Sequence, residues 1–297
     1  FILAARGTYK LMVVDAWMLK NGKLERAWRW DGDEENPVVR SMGAHSMVTA
    51  DVDGDGRDEV MLGSCMLDDN GTLLWSSGLG HSDKAYLCKL HPDREGMQVF
   101  MVSEPKKEDG RGVSVVDAAT GKLIWSIGHT TYHVGDGMVT DFDPAHPGLE
   151  CFASEDRKGG STDRYLLTAD GKKLQVAQDE IPGCRNWMLR ETFKGDNNRW
   201  GAGSSSGGRS QSIWKWKGEI LTENIKGDIL LMADMEGDWR EELITALPGE
   251  LRIYRTDIPA TDRRVTLMQD ALYRSYVAHR SMGYPQAPVP SYYLGDN

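Results

Sequence analysis

Short apolar runs separated by turn residues dominate the hydrophobic pattern of this chain. Val60-Met-Leu62 and Leu243-Ile-Thr-Ala246 are two such runs, and each follows an acidic stretch. Runs of this length that are bounded by Gly, Asn or Asp are typical of β-strands that end in tight turns. The pattern therefore predicts an all-β protein.

Hairpin corners recur between these runs. Asn-Gly, Thr-Gly and Asp-Gly pairs favour tight two-residue turns, and each pair here is followed by a strand-like segment. The corners lie in Lys20-Asn-Gly-Lys-Leu24, Asp69-Asn-Gly-Thr-Leu-Leu-Trp75, Ala119-Thr-Gly-Lys-Leu-Ile-Trp125 and Ala169-Asp-Gly-Lys-Lys-Leu174.

An acidic segment also repeats along the chain. Its copies lie at residues 50–60, 89–99, 140–150 and 233–243. The last interval is nearly twice the others, so we expect one diverged copy around residues 184–190. A period of about 45 residues that contains two hairpin corners fits the four-stranded blade of a β-propeller better than a β-sandwich.

We therefore predict a single β-propeller domain over residues 1–297, with room for about six blades at this period. The chain begins at Phe1, in the middle of the repeat pattern. We expect N-terminal blades, and any export signal, to precede it. Residues 267–279 have helical character, since Leu267, Leu272, Tyr276 and Val277 share one helix face, and a proline-rich tail follows them.

Composition narrows the choice of partners. The 45 acidic residues exceed the 35 basic residues, for a formal net charge of −10, so nucleic acid is a poor candidate partner and divalent cations are better ones. No apolar stretch has the length of a membrane span. The four cysteines are widely spaced and form no CxxC pair, which argues against a zinc site, and we expect Cys88 and Cys151 to be buried strand thiols.

The first acidic segment has the spacing of a calcium loop. Calcium takes six to eight oxygen ligands, and a loop supplies them from alternate positions while glycines permit the sharp turn. The predicted ligands are the side chains of Asp51, Asp53, Asp55 and Glu59 and the carbonyl of Arg57. Leu62 occupies the twelfth position, which excludes a full EF-hand loop. The alternative is a solvated acidic turn without metal.

Two further copies keep part of this pattern. The segment with Asp234, Glu236, Asp238 and Glu242 preserves the spacing and is a candidate second site. The copy with Asp141 and Asp143 has prolines in place of glycines, so metal binding and a metal-free turn are equally open there. Metal loops of this kind more often pin a corner of the fold than contact a substrate.

Polar residues that precede each acidic copy form a third set of candidates. If the repeat keeps its phase, these side chains approach one mouth of the propeller, where a ligand can bind. The alternative is that each is a satisfied structural residue. The set consists of His45, His81, Asp136 and Lys226.

The sequence resembles polysaccharide lyase family 11, the rhamnogalacturonan lyases, over nearly its whole length. The resemblance is carried by several motifs together. These are Ala50-Asp-Val-Asp-Gly-Asp-Gly-Arg-Asp-Glu59, Gly78-Leu-Gly-His-Ser-Asp83, Asp143-Pro-Ala-His-Pro-Gly-Leu-Glu150, Gly237-Asp-Trp-Arg-Glu-Glu242, Arg252-Ile-Tyr254, Tyr273-Arg274 and the close from Gly283 to Gly295.

The resemblance implies a calcium-dependent, eight-bladed propeller that cleaves rhamnogalacturonan by β-elimination. It places Lys226 and Tyr284 at catalytic positions. The repeat phase, rather than the resemblance, makes His45, His81 and Asp136 candidate substrate contacts. The family pattern has an arginine where Asp136 stands and an asparagine where Pro285 stands. Arg185 is the candidate that could restore the missing positive charge.

Two functions therefore compete. The first is a secreted or periplasmic lyase that acts on rhamnogalacturonan or a related acidic polysaccharide. The second is a non-catalytic, calcium-stabilised propeller that binds carbohydrate or protein.

Overall fold

Antiparallel strands that follow one another in chain order build nearly all of the described structure. A computed structural model describes residues 1–35, 39–141, 143, 145–176, 200–204, 211–215, 220–260, 263–282, 284 and 286–294. The first sheet has three strands, β1 (Ile2–Arg6), β2 (Val13–Lys20) and β3 (Lys23–Asp31).

An eight-stranded sheet follows and consists of two four-stranded meanders. The first meander contains β4 (Gly43–Ala50), β5 (Glu59–Gly63), β6 (Cys65–Leu67) and β7 (Leu73–Ser76). The second contains β8 (Ser82–Cys88), β9 (Gln98–Ser103), β10 (Val113–Asp117) and β11 (Leu123–Ser126). The first strands of the two meanders, β4 and β8, join them through a parallel pairing of Ala44 with Ser82.

Three more three-stranded sheets complete the order. They are formed by β12 (Val134–Thr140), β13 (Glu150–Glu155) and β14 (Arg164–Leu167), by β15 (Trp200–Ser204), β16 (Gln211–Lys215) and β17 (Ile220–Ile225), and by β18 (Asp228–Ala233), β19 (Glu242–Leu247) and β20 (Glu250–Tyr254). The predicted all-β class is confirmed, and the described strands form six successive meanders. Closure of these meanders into a propeller stays a prediction.

The described residues divide into two compact units. The first comprises residues 1–88, 93–137 and 153–164, and the second comprises the described part of 89–92, 138–152 and 165–294. A core of the first unit packs Met12, Val14 and Trp30 against Val60 and Leu67. A smaller core in the second unit packs Ile213, Ile225, Met232 and Leu243.

Two tryptophans donate hydrogen bonds to hairpin turns that the sequence predicted. The Nε1–H of Trp28 donates to the carbonyl of Asp69 at 2.8 Å, and that of Trp75 donates to the carbonyl of Ala118 at 2.7 Å. Each indole lies on the glycine of a predicted hairpin corner: a Cβ on Gly71 would meet Cδ2 of Trp28 at 2.5 Å, and a Cβ on Gly121 would meet Cδ2 of Trp75 at 2.6 Å.

The helices are short. Helix α1 spans Gly32–Glu35 and α2 spans Ala271–His279, and 3-10 turns lie at Arg157–Gly159, Leu267–Gln269 and Arg280–Met282. The prediction of a helix over residues 267–279 is confirmed, with a 3-10 turn in its first part. None of the described helices has the length and apolar content to cross a membrane. Cys65, Cys88 and Cys151 are buried, as expected for the latter two.

Candidate functional site

Histidines and carboxylates from three successive repeats meet in the first unit. His45 lies in β4, His81 immediately before β8, Asp83 in β8, Glu104 after β9 and His133 immediately before β12. We call these five residues the histidine cluster. Each comes from the beginning or end of a strand, where the chain leaves the sheet and its side chains can converge.

Local irregularity in β4 positions His45. The pairing of β4 with β5 is interrupted between Gly43 and Val48, which frees the intervening residues from the regular ladder. Irregularities of this kind change the direction in which a side chain points. His81 and Asp83 are two residues apart, a spacing that puts side chains on one face of an extended segment.

Imidazole and carboxylate side chains alternate within the histidine cluster. Nε2 of His45 lies 3.5 Å and Nε2 of His81 lies 3.4 Å from Oδ1 of Asp83. Nε2 of His81 is also 3.6 Å from Oε2 of Glu104, whose other oxygen lies 2.9 Å from Nε2 of His133. Across its ring, Nδ1 of His133 lies 3.3 Å from Oδ2 of Asp156.

His81 is the most buried histidine of this group, with 2% of its surface exposed. Its Nδ1 lies 2.7 Å from the carbonyl oxygen of Gly43. A carbonyl oxygen can only accept, so Nδ1 donates, and in the neutral ring Nε2 keeps its lone pair. Nε2 is buried, forms no hydrogen bond with any residue that the structure describes, and faces Asp83 and Glu104. It is therefore available to a metal ion or to a proton.

The electrostatics of the group support both possibilities. Burial, followed by the neighbouring His81, lowers the pKa of His45, which favours a neutral imidazole that can act as a ligand or a base. Burial alone would raise the pKa of Asp83, but its interactions with His81, His45 and His133 outweigh that effect and lower it. Asp83 is therefore ionised at neutral pH.

Two overlapping sets in the histidine cluster have ligand atoms close enough to share a cation. The ligand atoms of His45, His81 and Asp83 lie within 4.8 Å of one another, and so do those of Asp83, Glu104 and His133. Cation binding would satisfy the orphaned nitrogen of His81. The donors present thus fit a divalent ion, with nitrogen and oxygen ligands mixed.

The first acidic loop is a separate cation candidate. Its carboxylates from Asp51, Asp53 and Glu59 also converge within 4.8 Å. Asp51 accepts from the backbone N–H groups of Gly54 and Gly56, at 2.7 and 2.9 Å, which curls the loop around its first acid. Asp55 is not in this convergent set; it accepts from the backbone N–H of Arg57 at 2.8 Å.

Glu59 is the buried acid of this loop. One carboxylate oxygen accepts from the N–H of Val52 at 2.8 Å, and the other is buried without a partner. Burial, with the adjacent aspartates, raises the pKa of Glu59 to about 7. A buried carboxylate with an empty oxygen beside two further acids is the environment that a bound cation would relieve.

Arginines form salt bridges with carboxylates of the second predicted loop. Nη1 of Arg255 lies 2.6 Å from Oε2 of Glu236, and Arg240 forms a salt bridge with Asp238. Asp234 is held by the Thr266 hydroxyl at 2.6 Å through one oxygen, while its other oxygen is buried without a partner. Burial raises the pKa of Glu242 to about 7. This loop also has an orphaned carboxylate oxygen, but on its first acid, Asp234, rather than on its last. Two of its other predicted ligands, Glu236 and Asp238, are paired with arginines.

In the third loop, Asp143 and Glu150 meet through the backbone. The N–H of Asp143 donates to Glu150 at 3.0 Å, and Asp143 accepts from the N–H of Ala145 at 3.0 Å. Asp141 is buried. Across the described part of the chain, this loop forms no convergent set of three carboxylates.

The remaining predicted site residues are located differently. Asp136 lies on β12 in the first unit and accepts from the N–H of Gly137 at 3.1 Å. Lys226 and Tyr284 belong to the second unit. Lys226 is exposed, and its backbone N–H donates to the hydroxyl of Tyr254 at 3.2 Å. Tyr284 is half-buried. Arg185 lies outside the described residues.

Sequence reasoning found His45 and His81 but missed the roles of the residues that complete the group. Asp83 was visible in the His-Ser-Asp motif, where the two-residue spacing could have indicated a shared face. Glu104, His133 and Asp156 carry no comparable motif.

The comparisons with known proteins agree with the motifs. The profile of rhamnogalacturonan lyase family 11, C-terminal domain, matches residues 1–297. The chain belongs to this family. The resemblance predicted from the acidic loop and the closing segment is therefore confirmed.

Relatives in this family include two proteins of Bacillus subtilis (strain 168). Rhamnogalacturonan endolyase YesW is 36% identical over 302 residues, which cover 99% of this chain and 47% of YesW. Rhamnogalacturonan exolyase YesX is 33% identical over 313 residues, which cover 99% of this chain and 50% of YesX. The chain thus spans about half the length of these family 11 relatives.

Solved structures of the family share the fold. The crystal structure of exotype rhamnogalacturonan lyase YesX matches with a TM-score of 0.86 at 32% identity, over 99% of this chain and 50% of that one. Bacillus licheniformis rhamnogalacturonan lyase PL11 matches with a TM-score of 0.81 at 34% identity, over the same shares.

Proposed function

We propose that this chain forms part of a lyase that cleaves rhamnogalacturonan, or a related acidic polysaccharide, by β-elimination. The observation that supports it best is the convergence of His45, His81 and Asp83, in a family 11 chain, into a group that can hold a cation or exchange a proton. The relatives that match over this region are an endolyase and an exolyase of rhamnogalacturonan.

The proposed reaction has two requirements. A base takes the proton from C5 of the uronate, the C4–O bond breaks, a C4=C5 double bond forms and the glycosidic oxygen leaves with a proton. The C5 proton is weakly acidic, so the uronate carboxylate must be neutralised to stabilise the negative charge that develops on it. A base must also lie within hydrogen-bond reach of C5–H.

The histidine cluster could meet the first requirement. His45, His81 and Asp83 would hold a divalent cation, which when bound would supply the positive charge that neutralises the carboxylate. Glu104 and His133 would fix the far side of the group, because their 2.9 Å contact holds Glu104 facing His81. A cation here would also compensate for Asp136, which replaces the family's arginine.

The proton transfers are assigned to Lys226 and Tyr284, on the family resemblance. An exposed lysine can be a base only if its environment lowers its affinity for a proton, and otherwise it supplies positive charge. A tyrosine hydroxyl can pass a proton to the leaving oxygen. Arg185 is proposed as a further substrate contact.

The acidic loops have a structural role in this proposal. Calcium would be held by Asp51, Asp53 and Glu59, where all donors are oxygens, as calcium prefers. It would fix the turn between β4 and β5, close in sequence to His45. A closed propeller and a secreted or periplasmic location belong to the same proposal.

A direct assay tests the function. The intact protein is incubated with rhamnogalacturonan and with a uronate homopolymer, with calcium and after chelation, and the ultraviolet absorbance of the unsaturated product is followed. We expect product from rhamnogalacturonan and its loss on chelation. Folded, calcium-loaded protein that releases no unsaturated product from any uronate polymer would disprove the lyase and favour a binding role.

A further inference from the structure

Tyr9 lies over the histidine cluster on a loop that is fixed by its own backbone. The loop joins β1 to β2. Gly7 adopts φ +89°, and a Cβ there would lie 1.5 Å from the carbonyl oxygen of Leu11, so only glycine allows the tight turn. The Ser41 hydroxyl donates to the carbonyl of Tyr9 and ties the loop to the segment before β4.

One side of the Tyr9 ring contacts both histidines. Its centroid lies 4.4 Å from that of His81, with the ring planes tilted by 46°, and 5.8 Å from that of His45 in an edge-on arrangement. Its hydroxyl lies 3.3 Å from Nε2 of His45. These contacts hold the ring in one orientation relative to the cation-binding group.

Tyr9 is also largely exposed to solvent. Tyr9 is 53% exposed although it touches His81, which is almost fully buried. An aromatic ring that is needed only for packing would be covered, because burial of apolar surface is what stabilises it. Tyr9 instead presents a flat apolar face beside a group of imidazoles and carboxylates.

The charges around the hydroxyl keep it a neutral donor. Burial and then the carboxylates of Glu104 and Asp83 raise the pKa of Tyr9 above its usual value. A tyrosine hydroxyl is ordinarily protonated at neutral pH, so it can donate to His45 or to a sugar oxygen. The ring thus combines an apolar face with a polar edge. A pyranose has matching surfaces, an apolar C–H face and polar hydroxyl groups around its edge.

We propose that Tyr9 is a substrate-contacting residue whose exposed face packs against the apolar C–H face of a sugar ring in the subsite beside His45 and His81. Tyrosine suits this role because its large rigid surface loses little conformational entropy on binding. This inference rests on the proposed function in one respect, that the histidine cluster faces the polysaccharide.

Three substitutions at Tyr9 separate the ring from the hydroxyl. Tyr9→Phe keeps the ring, Tyr9→Ala removes it, and Tyr9→Leu keeps apolar volume without a flat face. Tyr132→Ala is the matched control, since Tyr132 is 44% exposed in the same unit and its ring lies beneath Nζ of Lys106, at 5.5 Å. Thermal unfolding establishes that each variant is folded, and Tyr9→Leu replaces Tyr9→Ala if the latter is not.

We expect Tyr9→Ala and Tyr9→Leu to raise KM for rhamnogalacturonan oligosaccharides about tenfold, with kcat changed less than about threefold, as for lost binding that is equal in ground and transition states. Tyr132→Ala should stay within about twofold of wild type, whereas Tyr9→Phe, which keeps the ring and loses only the hydroxyl, should raise KM less than Tyr9→Ala does. A purely structural role would lower kcat or stability without this selective rise in KM.

Direct binding keeps the test independent of the lyase assay. If wild type releases no unsaturated product, the proposed function fails, and calorimetric titration with the same oligosaccharides decides on Tyr9 alone. Affinity about tenfold weaker in Tyr9→Ala supports the inference. Equal affinity or equal KM in wild type and Tyr9→Ala overturns it, as does a wild type that binds no oligosaccharide.

Discussion

The indole N–H of Trp75 donates a 2.7 Å hydrogen bond to the carbonyl oxygen of Ala118, 43 residues further along the chain. Trp75 ends the first four-stranded meander, and Ala118 begins the turn after β10 in the second. The bond is buried, so neither partner can exchange it for water. It ties one repeat to the hairpin corner of the next.

Replacing Trp75 by Phe should therefore destabilise the protein by about 1 to 2 kcal/mol, because the carbonyl of Ala118 is left buried without its donor. Urea unfolding measures the change. Trp28→Phe is the control, since the equivalent bond to Asp69 is only partly buried and its loss should cost less. Equal losses in the two variants would show that the buried bond is not the cause.

Gly121→Ala should be more harmful than the same change at an open corner. Gly121 has φ +66°, and its new Cβ would also collide with the Trp75 indole at 2.6 Å. Gly22 has φ +75° but nothing within 4 Å of its Cβ position. We expect a loss of about 1 kcal/mol at Gly22 from backbone strain alone and clearly more at Gly121. Thermal unfolding measures the stability of both variants. A lower melting temperature for Gly22→Ala than for Gly121→Ala would contradict this expectation.

Glu59 should make the stability of calcium-free protein depend on pH. Its pKa is raised from 4.5 in the unfolded chain to about 7 in the folded one, so the folded state binds the extra proton. The stability that this bound proton contributes is fully present below pH 4.5 and is lost as the pH rises through 7.

Denaturant unfolding of chelated protein across this pH range measures the effect. Glu59→Gln should weaken the dependence, because a neutral amide has no proton to lose, while Glu242, whose pKa burial also raises to about 7, keeps its own contribution. Calcium should restore stability at pH 7 in wild type and much less in Glu59→Gln. A chelated wild type that grows more stable between pH 4.5 and 7 would show that Glu59 does not govern this range.

Lys226→Ala should reduce kcat at least about a hundredfold if Lys226 transfers the proton or neutralises charge in the transition state. Calcium-dependent stability should be unchanged, since Lys226 lies outside the first acidic loop. Lys20→Ala, an exposed lysine at a hairpin corner, is the control and should retain full activity. Wild-type kcat in Lys226→Ala would remove this residue from the mechanism.

Local sequence predicted those parts of the molecule that local chemistry determines. The corner at Gly121 and the convergence of Asp51 with Glu59 follow from residues that are neighbours in sequence. The hydrogen bonds from Gly54 and Gly56 to Asp51 are contacts within one loop, which is why its spacing was informative.

The histidine cluster could be predicted only in part, because its contacts are long-range. His45 and His81 are related by the repeat phase, and that periodicity revealed them. Glu104 and His133 come from loops after and before strands of different repeats, and Tyr9 comes from a loop that precedes β2. Nothing in the sequence near these three residues records which neighbour each will meet. The same limit applied to Glu236 in the second loop, which pairs with Arg255, 19 residues further along the chain.

The carbonyl that orients His81 belongs to Gly43, at the beginning of β4, whereas His81 precedes β8. The ring is therefore aimed by the main chain of the neighbouring repeat, next to the pairing of Ala44 with Ser82. A single repeat cut from the chain would keep its hairpins but lose the support that directs Nε2 toward Asp83. Circular permutants opened between β7 and β8 should retain the cluster only while both repeats remain docked. In this protein the histidine cluster depends on the contact between neighbouring repeats, so substitutions in either repeat can alter it.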